Sequence, residues 1–437
     1  MTAIVGVLNS QGISVAADSA VTVTGTNGKK VYNRSNKIFT LSKYHPVGIA
    51  IYSNANLLGM PLETLIKMYR RQLGDRSFNT MVEYQNDFIG FLNGKLGQVP
   101  AEVKRTNFYG FCGWAHLSII NNTIENLYND DVDVESLSPE QRNEFFHRTI
   151  SEELQRYSEK LSTYPQAVYS DLSYEDYCNY YSVELSEIEN FIEQKIKEEF
   201  DEFSINDEHK ERIKSVLYSL INIEFIMESF CGFVFFGFGE NEMYPSSHNI
   251  LIGALIGDRL RIRVLEPIYI QPGTVNSSNI IPYAQADVTT TVLTGVDPIF
   301  KSEMHNSVKK SFKSASDQIE QLLGDADLSD QIRVALTNIS TQLIKGLDDY
   351  QFSNITKPLL DTLAFMGKED MSELAESLVN ITSLKRKFTS LDSSDESVGG
   401  PVDVAIVTKG DGFIWMKRKH YFDMENNQSF ANKYFKI

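Results

Sequence analysis

Thr2-Ala3-Ile4-Val5-Gly6-Val7-Leu8, then Asn9-Ser10-Gln11-Gly12, then Ile13-Ser14-Val15-Ala16-Ala17-Asp18-Ser19, is the stretch on which the fold turns. Residues 3–8 and 13–17 are rich in Ile, Val and Ala and flank a turn composition, so they predict a hairpin of two short strands. Gly6, Ala16 and Ala17 are small enough for strands packed closely on both faces. A secretory leader is not expected. The first Lys is Lys29, so there is no basic n-region, and Asn9, Ser10 and Gln11 break the apolar run. Thr2 follows Met1, and a small second residue permits removal of the initiator. The free amine of Thr2 would then lie beside its own hydroxyl. With a reference pKa of about 7.7–8.0, that amine is partly neutral near pH 7 and can act as general base for the hydroxyl.

Working outward, Val21 to Thr24 and Lys30 to Tyr32 flank the hairpin-type turn Gly25-Thr26-Asn27-Gly28, and strands are expected at Lys37 to Leu41 and Val47 to Tyr52. Leu62, Leu65, Ile66, Tyr69 and Leu73 recur at helical spacing after Pro61, and Met81, Phe88, Ile89 and Leu92 do so again. Residues 98–121 fit neither period. From 122 to 228 the chain is acidic and helical, with a stripe of Ile213, Leu217, Leu220, Ile221 and Phe225. Strand character returns at Phe230 to Phe238, Ile250 to Ile256 and Leu260 to Val264. A helical region spans 297–389, and Val402 to Thr408 with Phe413 to Lys417 closes the chain as a strand pair around Lys-Gly-Asp-Gly. Blocks of strands and helices, rather than alternating βαβ units, predict an α+β layered fold.

The 437 residues exceed one ordinary domain, so two domains or one elaborated domain are expected. Hydrophobic residues make up 42% and aromatics 11%, the balance of a soluble protein with a sizeable core. The formal net charge of -17 argues against nucleic-acid and anionic-membrane partners, which need clustered Lys and Arg. No apolar run approaches the ~20 residues of a membrane span. Cys112, Cys178 and Cys231 are too scattered for a disulfide framework or a metal site, which suits reduced thiols in a cytoplasmic protein. Among seven histidines no zinc spacing occurs, so no metal and no cofactor are expected. Gly25 to Lys30 lacks the spacing of a phosphate loop, and there is no Gly-x-Ser-x-Gly elbow.

Taken together, these segments resemble the proteasome β-subunits and the simpler bacterial proteasome-like threonine peptidases. Thr2 to Val7 looks like the start of a mature subunit, and Val15-Ala16-Ala17-Asp18-Ser19 is similar to the family's Ala-Ala-Asp-Ser stretch. Asn36-Lys37-Ile38-Phe39 resembles the catalytic-lysine strand. Val47 to Ala55 resembles the strand that ends in Gly-Gly-Ala and opens the first helix. Val292-Leu293-Thr294-Gly295 resembles a Val-Gly-Ser-Gly turn, and Asp395-Glu396-Ser397-Val398-Gly399-Gly400 resembles an Asp-x-x-Ser-Gly-Gly turn. In departures from the family, Ser53 replaces a glycine, Val398 a serine, and Ala20 a frequent arginine.

The resemblance implies a four-layer αββα sandwich of the N-terminal nucleophile hydrolase type, with helical insertions. It divides the chain into core (2–97), an acidic helical insertion (98–228), core (229–300), a helical elaboration (301–370) and the completed core (371–437). Thr2 would be nucleophile and base, Lys37 would activate its hydroxyl, and Asp18 would hold Lys37. The Ser53 N–H would serve the oxyanion, and Thr294 and Asp395 would orient the amine. Val21, Ile51 and Ala55 would border a substrate pocket. The implied activity is that of a threonine-type endopeptidase acting on peptides or unfolded protein, as a homo-oligomer with a possible ATP-driven unfoldase partner. A non-peptidase amidohydrolase and a catalytically inactive assembly or binding subunit are the alternatives.

Overall fold

The computed structural model describes residues 2–25, 28–129, 137–166, 172–199, 205–226, 229–323, 326–389, 399–419 and 427. It is a mixed α+β fold built on antiparallel sheets. The predicted first hairpin forms as β1 (Ile4–Asn9) and β2 (Gly12–Ala17), with every residue of both strands buried. β3 (Val21–Gly25) and β4 (Gly28–Tyr32) make a separate two-stranded ribbon, followed by β5 (Ile38–Thr40) and β6 (Val47–Ser53). A small hairpin, β7 (Asn56–Leu57) and β8 (Met60–Pro61), leads into α1 (Leu62–Leu73) and α2 (Met81–Leu96). Thr80 and Glu83 form a reciprocal capping box that fixes where α2 begins.

Among the described residues, five helices follow: α3 (Ala101–Asn129), α4 (Pro139–Ser162), α5 (Tyr174–Tyr180), α6 (Ser182–Glu199) and α7 (Asp207–Ile221). Strands resume with β9 (Cys231–Gly237), β10 (Ser246–Ile256), β11 (Arg259–Val264), β12 (Ile268–Tyr269) and β13 (Ser278–Ala284). Then come α8 (Ala286–Thr294), the long helices α9 (Pro298–Leu323) and α10 (Ala326–Gln351), a π-helical turn at Phe352–Thr356, α11 (Lys357–Leu363) and α12 (Lys368–Thr389). β14 (Asp403–Thr408) and β15 (Gly412–Lys417) end the described core.

One sheet runs β13-β1-β2-β14-β15 and the other β11-β10-β9-β6-β5, with β12 on β10. Their facing sides share one apolar cluster, in which Ile4, Val15 and Ala405 of the first sheet meet Val234 and Phe236 of the second. Gly48 is required there. A Cβ on it would stand 2.4 Å from the Phe236 ring and 3.0 Å from Phe413. The other side of the second sheet is covered by α1 and α2 through Leu65, Tyr69, Phe88 and Leu92. The other side of the first is covered mainly by α12 through Met371, Ala375, Leu378 and Val379.

α3 to α7 gather round an apolar cluster of their own, which reaches the sheet at Ala254 and Ile256. α3 includes most of the residues that fitted neither period. It packs against α4, α6, α7 and β10, so its apolar residues point several ways and draw no single stripe. Among the described residues, no helix is long and apolar enough to cross a membrane.

Candidate active site

The site is built where the two sheets meet at one end. Asp18 follows the last residue of β2, and the residue is 1% exposed. Oδ1 accepts from the Ala3 backbone N–H at 2.8 Å and from the Lys37 ammonium at 2.6 Å. Oδ2 accepts from the N–H groups of Ala20 and Gly399, each at 3.1 Å. Asp18 also donates its own N–H to the Ala3 carbonyl at 3.2 Å, so it grips the residue after Thr2 from both sides. Thr2 itself is buried. Four donors on one carboxylate explain how a charge is tolerated here, because a buried carboxylate needs its lone pairs filled.

Lys37 precedes β5 in the second sheet, and its carbonyl accepts the Ile51 N–H at 2.9 Å. The Lys37–Asp18 pair therefore ties the two sheets together. Burial pushes the Lys37 ammonium below its ordinary value of 10.5, Asp18 offsets part of that, and the nearby Lys419 charge adds to the lowering. Lys37 is thus readier to release a proton than a surface lysine.

Ser53 closes β6 opposite Cys231, two residues beyond the Ile51 that bonds Lys37. It is exposed and has a φ of 66°, a left-handed conformation rare for a residue with a side chain. The position favours glycine and holds serine.

On the third side, Gly399 and Gly400 dock against the Asp18 corner. The Ser19 N–H donates to the Gly399 carbonyl at 3.1 Å and the Ser19 hydroxyl to the Pro401 carbonyl at 2.6 Å. Gly400 has a φ of 75°, and a Cβ there would meet the Asn33 carbonyl oxygen at 2.8 Å, so glycine is required on two counts. Asp395 lies outside the described residues, as does Val398.

Thr294 differs from expectation. It lies at the C-terminal end of α8 rather than in a turn between strands, and its hydroxyl donates to the carbonyls of Thr290 at 2.7 Å and Val296 at 3.0 Å. Gly295, with a φ of 71°, is the left-handed cap of that helix. The segment that does arrive at Thr2 is the end of β13. Ala284 pairs with Ile4, so the chain leaves the sheet level with the N-terminus and turns at Gln285, whose φ is 56°. Nothing in the sequence marks that turn, since the expected glycine is absent.

Of the three pocket candidates, Val21 is partly buried at the start of β3 and Ala55 is partly buried, its carbonyl accepting the Leu62 N–H at 2.9 Å. Ile51 is buried in the cluster beneath α1 and α2, packed as a core residue. Sequence reasoning also missed a second buried ion pair. Asp403, paired in register with Ala17, accepts the Lys419 ammonium and also its backbone N–H at 2.8 Å. Lys417-Arg418-Lys419 reads as a solvated basic run, and only the acid at the head of an apolar strand hinted otherwise. Among the described residues, no group of three His, Cys, Asp or Glu side chains is arranged to hold a metal ion.

No protein-family model matches the chain, and no curated protein matches it. Solved structures similar to it include the Anbu (Gly-1) mutant from Hyphomicrobium sp. strain MC1, at 9% identity and a TM-score of 0.28, covering 100% of this chain and 98% of that one. Anbu (ancestral β-subunit) from Yersinia bercovieri gives 8% identity and 0.26, covering 100% and 97%. Anbu from Hyphomicrobium sp. strain MC1 without that label gives 10% identity and 0.28, covering 100% and 98%.

Proposed function

We propose that this protein is a threonine-type N-terminal nucleophile hydrolase of the proteasome-like group, an endopeptidase that works through Thr2 after removal of Met1. The observation that carries the reading is the buried Asp18–Lys37 pair, whose shared oxygen also holds the backbone of the residue next to Thr2. Layer order supports it too, and we read the two facing sheets with helices outside as a four-layer αββα sandwich interrupted at 98–228 and 301–370. In this reading the Thr2 hydroxyl attacks the peptide carbonyl and passes its proton to its own amine. The Ser53 N–H donates to the developing oxyanion, a contribution typically worth about 2.7–4 kcal/mol. The amine returns the proton to the leaving nitrogen as the C–N bond breaks, and water then cleaves the ester. Lys37 favours the deprotonated hydroxyl by its charge, Asp18 fixes Lys37, and Asp395 is proposed to orient the amine. Substrate would be a peptide or an unfolded chain, and the working form a homo-oligomer in the cytoplasm, fed by an ATP-driven unfoldase.

Intact-mass analysis and a peptide epoxyketone test the proposal together. The adduct needs a hydroxyl and a free amine on one residue. Wild type and Thr2→Ser should begin at residue 2 and gain the mass of the probe, and Thr2→Ala should not. Wild-type protein that is processed but never labelled, beside a labelled proteasome control, would leave the assembly-subunit reading in its place.

A further inference from the structure

Beside Ser53 lies a cavity of about 640 Å³, roofed by α3 and floored by the ends of β9 and β10 and the β7–β8 hairpin. That volume is within the range of ligand sites, about 300–1,000 Å³. Its walls are mainly apolar, with Leu57, Val103, Phe111, Trp114 and Ile252 among them, and Asn54, Asn56 and Asn107 add carboxamides. Among the described residues the wall carries no lysine or arginine, and its charged member is Glu102.

Two features show how this space is held open. β10 bulges between Ile252 and Leu255, and the Leu255 N–H donates to Asn107 of α3 at 2.7 Å, which pins the helix over the bulge. Gly110 lies within α3 and borders the cavity, and a Cβ built on it meets no atom within 4 Å. Glycine inside a helix is unfavourable relative to alanine, and here no close packing or positive φ calls for it. What the missing side chain leaves is room.

We propose that this cavity receives the uncharged, apolar side chains of a peptide bound across Ser53, which makes α3 part of the specificity apparatus. The inference rests on the reading of Ser53 as oxyanion donor. Asn54 follows Ser53 directly and Cys231 pairs with it, and both line the cavity, so a chain held at the Ser53 N–H has its neighbouring side chains at the mouth. Carboxamides both donate and accept, as a peptide backbone requires. An acidic side chain would meet apolar walls and the Glu102 carboxylate, with no cation among the described lining residues to pair it.

Trp114 reports occupancy by its fluorescence, and Trp114→Phe supplies the blank for Trp415, the second of two tryptophans. Titrations use the full chain carrying Thr2→Ala, so that no probe is cleaved. N-acetyl-Leu-Leu-Phe-amide should bind saturably, and N-acetyl-Leu-Leu-Glu-amide about tenfold or more weakly, the difference expected for one buried apolar side chain. Gly110→Phe, which enters open space within a helix, should weaken the neutral peptide by a similar factor while Gly110→Ala unfolds no more easily than its parent. Equal binding of the two peptides, unchanged binding in Gly110→Phe, or no response at Trp114 overturns the proposal. Failure of the Thr2 reading would be seen separately, as absence of the epoxyketone adduct.

Discussion

Removing either partner of the Asp18–Lys37 pair should not have the same effect, and the structure sets the size of the difference. In Asp18→Ala the Lys37 ammonium stays buried without its partner, a situation that costs about 3–5 kcal/mol. Three N–H groups, of Ala3, Ala20 and Gly399, lose their acceptor as well. Each orphaned donor adds about 1 kcal/mol or more, so the total is on the order of 5 kcal/mol or greater, a large part of the ~5–15 kcal/mol of a typical domain. Lys37→Met instead leaves a carboxylate still held by three N–H donors and removes an ammonium that burial already penalises. Its cost should be nearer ~2 kcal/mol. The double variant should unfold less easily than the sum of the singles implies, with a coupling of about 2 kcal/mol. Urea unfolding of the four proteins measures this. Stability should also depend on pH through Lys37. Its folded value lies below 10.5, so between the two values the unfolded chain binds more protons, and stability rises with pH across that window. Lys37→Met should lack that rise. Equal losses in the two single variants, or strict additivity, would refute the account of the pair.

Two other expectations follow from burial and packing. Burial holds His116 and His248 down to about 4, so each stays neutral in the fold where an unfolded histidine would be charged. Stability should fall as pH drops from about 6.5 to 4, by roughly 3 kcal/mol per residue, and acid titration of unfolding in His116→Leu should be flatter than in wild type. Gly48→Ala forces a methyl against the Phe236 ring between the sheets and should cost about 1–3 kcal/mol in a urea midpoint, whereas a neutral result would deny the close approach.

The α+β class and most strands were legible because their signals are local. Short apolar runs bounded by turn residues gave β1, β2, β6, β9 and β14, and helical spacing gave α1 and α2. α3 was not legible, since a helix with neighbours on several sides loses the one-sided stripe that periodicity detects. β13 and α8 were missed for another reason. Their junction needs a left-handed residue and uses Gln285, so the usual glycine flag is absent.

The same physics explains which site residues a sequence could bring together. Asp18 and Lys37 stand out through the likeness of Ala16-Ala17-Asp18-Ser19 and Asn36-Lys37-Ile38-Phe39 to family segments, since a lone charge at a strand edge is ordinarily a surface residue. Thr294 shows the opposite case. Leu-Thr-Gly fits a tight turn between strand and helix, and it fits the end of a helix equally well, because both put glycine in the left-handed region. Local sequence cannot choose between them. Only the pairing of Ala284 with Ile4, across 280 residues, shows which segment reaches Thr2. Asp403 and Lys419 belong with Thr294. Their ion pair is close along the chain, yet its burial depends on β14 entering the sheet beside β2, a contact that the acid heading an apolar strand only hints at.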